Sequence, residues 1–111
     1  MEALRETDSI TVRELANLRN AGAEHAILDV REAGELAICQ LDGALHIPMA
    51  EVPARIAELP ADRPLVVLCH HGVRSHMVVD FLRSAGLDNA INLDGGIEAW
   101  AWEIDRSMPR Y

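Results

Sequence analysis

The segment Leu65–Leu82, LVVLCHHGVRSHMVVDFL, changes character twice. An apolar run stops at Cys69, a short polar loop centred on Gly72 follows, and a helical pattern starts at about Arg74. A run with no polar residue suits a strand covered on both faces, as in a parallel sheet. In the helix, Met77, Val78, Phe81, Leu82 and Ala85 are expected to share the apolar face, with Gly86 as the stop signal. A loop joining strand end to helix start turns its N–H groups inward, at the edge of the sheet where α/β domains bind ligands. The helix N-terminus adds about half a positive charge, and Arg74 adds a full one. The nearest anion is the thiolate of Cys69 itself, and such surroundings lower a cysteine pKa from about 8.5 to roughly 3.5–7.5. A merely structural Cys69, packed as a small apolar residue, has no use for the Gly72 turn or for Arg74.

Outward from this segment the same alternation continues. Thr11 followed by Glu14 is a capping-box pattern opening a helix over TVRELANLRN, with Gly22 at its end. HAILDV and ALHIP read as short strands, REAGELAI between them as a helical turn or two with Arg31 facing Glu35, and MAEVPARIAELP as a helix between Pro53 and Pro60. NAINL is another strand, DGG a tight turn, and IEAWAWEI a last helix before the tail EIDRSMPRY. Strand–helix alternation over 111 residues predicts one α/β domain with a mainly parallel sheet and helices on both faces.

Composition excludes several chemistries. All ten basic residues are arginine, so a lysine Schiff base and a P-loop are ruled out. The formal charge of −8 argues against nucleic acid and anionic membrane as partners. Two cysteines far apart in sequence do not make a disulfide scaffold. No basic-then-apolar leader or membrane-length stretch is visible, so a cytoplasmic protein is the expectation.

CHHGVRS after a buried strand, LDVRE upstream and LDGGIEAW downstream, in that order, resemble the single-domain rhodaneses, a family of sulfurtransferases. The similarity runs from about Ser9 to Trp102, leaving residues 103–111 as a tail. The resemblance implies a rhodanese-like fold with a five-stranded, mostly parallel sheet. It also implies that Cys69 is the catalytic nucleophile, carrying sulfane sulfur as a persulfide, with His70, His71, Gly72, Val73, Arg74 and Ser75 as the substrate-binding loop. Thiosulfate or another persulfide is the implied donor, and cyanide, a thiol or a protein the acceptor. The chain departs from the family pattern at Cys39 and Gln40, which stand where Gly-His is common, and at the His70–His71 pair; both departures leave the physiological donor open.

Three rival readings stand beside this one. A sulfur carrier or regulatory module with slow turnover has the same sequence features. A cysteine phosphatase spaces its pair C-x5-R, whereas Cys69 and Arg74 are C-x4-R, a ring one residue tighter that suits one sulfur atom better than a phosphate. Zinc ligation by Cys39, His46, Cys69, His70 or His71 lacks the usual spacings, and consecutive histidines are expected to point apart, so neither metal nor cofactor is expected. Of the remaining residues, Asp29 is read as orienting loop backbone, Cys39 as a packed thiol, His76 as a solvated partner of Asp80, and Trp100 and Trp102 as packing residues. The tail offers Trp102, Met108 and Tyr111 for docking on this domain or on a partner, and the oligomeric state stays open.

Overall fold

Thr11 caps the first helix in the predicted way: its hydroxyl accepts from the Glu14 amide at 3.2 Å while the Glu14 carboxylate accepts from the Thr11 amide at 2.9 Å. The computed structural model describes residues 7–111. Its elements are β1 (Ser9–Ile10), α1 (Val12–Asn20), β2 (Ala26–Asp29), α2 (Ala33–Leu36), β3 (Leu45–His46), α3 (Val52–Arg55), β4 (Leu65–Leu68), α4 (Val73–Ser84), β5 (Ala90–Leu93) and α5 (Gly96–Glu103). The five strands lie in the order β1-β5-β4-β2-β3 and every pairing is parallel. Among the described residues no helix is long and apolar enough to cross a membrane.

β4 sits at the centre, and all four of its residues are buried. Its side chains alternate between two cores, as a strand covered on both faces requires. Val66 and Leu68 pack with Ile10, Leu15, Ile91 and Trp100 on one side; Leu65, Val67 and Cys69 pack with Leu28, Val78, Val79 and Leu82 on the other. Cys69 is therefore the last residue of an alternating run, on the α4 side of the sheet.

The structure differs from the sequence reading in three elements. β1 is two residues long and pairs Ser9 with Asn92 and Ile10 with Leu93; so short a strand carries no readable periodicity. The helix expected over MAEVPARIAELP is a broken spiral, 3-10 at Met49–Glu51, α at Val52–Arg55 and 3-10 again at Ile56–Glu58. Pro53, at the start of the α segment, fits there because a proline lacks only an N–H that the first turn leaves unbonded. In α4 the buried stripe is Ser75, Val78, Val79 and Leu82, while Met77 and Phe81 are exposed. Ser75, at the start of this stripe, is tied inward to Asn92, and Val78, Val79 and Leu82 pack into the core beside the strands.

Candidate active site

Cys69 follows β4 directly, and Gly72 caps α4 with φ +103°, a left-handed conformation that glycine adopts without steric cost. A β-carbon at Gly72 would lie 3.2 Å from the Gly95 amide nitrogen, so the turn is also closely packed against the DGG segment. This turn aims the Gly72 amide at the Cys69 sulfur, 3.1 Å away. The Ser75 hydroxyl lies 3.4 Å from the same sulfur. Cys69 is 1% exposed, but its sulfur faces these donors. Burial pushes the thiol pKa up; the Ser75 hydroxyl and the amides of Ser75, Gly72 and His71 push it down and prevail, leaving Cys69 below the ordinary thiol value.

Asn92 completes this end of the site. It is a buried amide on β5 whose Oδ1 accepts from the Ser75 hydroxyl, while its Nδ2 donates to the Gly72 carbonyl at 3.3 Å and to Asp94 at 3.2 Å. One side chain thus ties the helix start and the turn to the neighbouring strand. The polar Asn92 within the apolar NAINL run was the signal available in the sequence.

The α5 N-terminus closes on the loop from the other side. The Ile97 and Glu98 amides donate to the Cys69 and His70 carbonyls, each at 3.0 Å. Gly96 permits this approach, because a β-carbon there would fall 2.5 Å from both carbonyl oxygens. Gly95 and Gly96, the glycines of the expected DGG turn, have φ of +80° and +59°.

Arg74 does not stand as a free cation beside the sulfur. Its guanidinium makes a two-pronged pair with Glu35, both bonds 2.8 Å. Hydrogen bonds from Arg74 hold the Glu35 carboxyl down at about 2 against the opposing effect of burial. Arg31, expected to face Glu35, is instead fully buried and pairs with Asp29 at 2.7 Å. Asp29 also accepts from the Arg31 amide at 3.0 Å, which agrees with its predicted backbone-orienting role. The remaining Arg31 donors reach the Cys39 carbonyl at 2.8 Å and the Tyr111 hydroxyl at 2.9 Å.

Tyr111 bridges these charges, since its hydroxyl also donates to Glu35 at 2.8 Å while its ring stacks on His70 at 3.9 Å. The tail therefore docks on this domain, at the loop. His70 and His71 do not point apart: their ring centroids are 3.9 Å from each other. Cys39 is a buried free thiol and His76 lies 3.5 Å from Asp80 on the surface, both as read from sequence. Trp100 is buried in the core, whereas Trp102 is partly exposed, with Arg110 stacked 3.6 Å above its ring.

Family comparison agrees with this geometry. Residues 11–103 match the rhodanese-like domain.

The chain belongs to the rhodanese-like domain family.

A sulfurtransferase from Allochromatium vinosum is 38% identical over 79% of this chain and 83% of its own length. A probable adenylyltransferase/sulfurtransferase, MoeZ, from Mycobacterium tuberculosis is also 38% identical, over 93% of this chain. The chain spans only 27% of that much longer relative. Among solved structures, a rhodanese-related protein from Thermoplasma volcanium superposes with a TM-score of 0.79 at 34% identity, covering 86% of this chain and 92% of that one. The all-parallel five-stranded sheet is thus the rhodanese-like α/β fold.

Proposed function

We propose that this rhodanese-like domain moves sulfane sulfur through a persulfide on Cys69. The observation that carries the reading is the Gly72 amide aimed at a buried sulfur from 3.1 Å, an arrangement that favours a thiolate over a thiol. In the first half-reaction the Cys69 thiolate attacks the outer sulfur of thiosulfate or another persulfide. The donor's S–S bond breaks, sulfite or a thiolate leaves with the electron pair, and Cys69 carries –S–S⁻. In the second, cyanide or a thiol takes the outer sulfur and the Cys69 thiolate returns. The added atom extends one S–S bond, about 2 Å, beyond a sulfur that is itself buried. The loop from His70 through Gly72, Val73 and Arg74 to Ser75 is the cradle for that terminal anion.

Sulfur carriage between proteins is a second reading with an observation of its own. Arg74 is neutralised by Glu35 and so offers little attraction to a free dianion such as thiosulfate. A protein or low-molecular-weight persulfide, held by contacts beyond the sulfur, is less dependent on that charge.

Intact mass after thiosulfate exposure tests the common core. The expected result is one added sulfur, removed by cyanide or dithiol and absent from Cys69→Ala. Rapid thiocyanate turnover supports the enzyme; a stable persulfide with negligible turnover supports the carrier. No added sulfur from any persulfide donor overturns both.

A further inference from the structure

Beyond the sulfur chemistry, we propose that His70, His71 and Glu98 form a binding site for a divalent cation of the zinc class at the edge of the Cys69 loop. Their ligand atoms all lie within 4.8 Å of one another. Two of them, His70 Nε2 and Glu98 Oε1, are buried and have no hydrogen-bond partner among the described residues. A polar atom left unsatisfied inside a protein is costly, so such a pair calls for an explanation. They are 3.7 Å apart, too far for a hydrogen bond. Tetrahedral ligands held at about 2.0–2.1 Å from zinc are separated by roughly 3.3 Å, so a modest closure brings this pair onto one ion.

The surroundings hold the donors in place, as outer contacts do around metal ligands. Glu98 Oε2 accepts from the Trp102 indole at 2.8 Å, leaving Oε1 for the histidine. The His70 ring is fixed between His71 and Tyr111, with both centroid separations 3.9 Å. The Glu98 amide is bonded to the His70 carbonyl, so the two residues share one rigid junction. His71 is exposed, and its ring places the third ligand atom within the same 4.8 Å cluster. Two imidazoles and a carboxylate are the donor set that suits zinc and its first-row neighbours, and they leave a fourth position for water or another ligand.

The test titrates full-length protein without a histidine tag against Co²⁺ and Zn²⁺. One equivalent of Co²⁺ is expected to bind, with visible absorption of nitrogen–oxygen ligation and no thiolate charge-transfer band, and Zn²⁺ is expected to displace it. Glu98→Gln and His71→Asn are each expected to weaken binding about tenfold or more, with the gain of melting temperature on adding Zn²⁺ falling in step. Cys69→Ala is expected to retain the site. Glu98→Gln keeps an acceptor for Trp102, so it remains informative where His70→Ala fails to fold. Binding that survives Glu98→Gln but disappears with Cys69→Ala overturns the proposal in favour of simple thiolate capture. No binding at millimolar Co²⁺ or Zn²⁺ overturns it outright.

Discussion

At Cys69 two opposing effects act on one proton. Burial favours the neutral thiol, and the Ser75 hydroxyl with the loop amides favours the thiolate. Ser75 has a single proton between two acceptors, the sulfur and Asn92. Ser75→Ala removes the hydroxyl's share, so the pH midpoint for alkylation by iodoacetamide is expected to rise, while the wild-type midpoint lies below that of an ordinary cysteine. A wild-type midpoint at or above the ordinary value contradicts the thiolate assignment. Glu35 supplies the second prediction at this scale. Glu35→Gln releases Arg74, so sulfur uptake from thiosulfate is expected to rise severalfold and to become more sensitive to salt. The Glu35 pKa is lowered on folding, from 4.5 to about 2. Its contribution to stability is therefore complete above roughly pH 5 and is lost as pH falls toward 2. Urea denaturation of wild type and Glu35→Gln is expected to show a constant stability difference near neutrality that changes in this acid window.

Elements place these residues, and here local sequence had uneven reach. α1 was legible because Thr11 and Glu14 are three positions apart and cap each other without outside help. β4 was legible because a centre strand has no polar face to hide. α4 was legible in extent but not in rotation. Met77 and Phe81 are as apolar as Val78 and Leu82, so composition does not select the stripe that faces the sheet; packing of Val78, Val79 and Leu82 on the strands, with the Ser75–Asn92 bond, does. Arg31 was misread because its spacing of four residues offers Glu35, but folding brings Asp29, Cys39 and Tyr111 around the guanidinium. With both partners of the Arg31–Asp29 pair fully buried, Arg31→Met leaves an uncompensated carboxylate. The expected loss is about 3–5 kcal/mol in equilibrium unfolding. A loss below about 1 kcal/mol rejects this account of the pair.

Across the whole molecule, three distant stretches meet at the loop: Glu35 from α2, Glu98 from α5 and Tyr111 from the tail. Tyr111→Phe keeps the ring on His70 but removes the hydroxyl that joins Arg31 to Glu35. Because that residue is partly exposed, a loss of about 1 kcal/mol or less is expected, visible as a fall of a few degrees in Tm. An unchanged Tm means that the bridge does not contribute to stability. The amino-acid sequence alone determined the strand–helix alternation, the position of Cys69 at a strand end and the glycine turn that follows, since each depends on neighbours along the chain. The partner of Arg74, the burial of Arg31, the Asn92 tie and the meeting of His70 with Glu98 and Tyr111 were decided only by tertiary structure. These contacts join residues from 17 to 80 positions apart, brought together by sheet order and helix packing rather than by any periodicity in the chain.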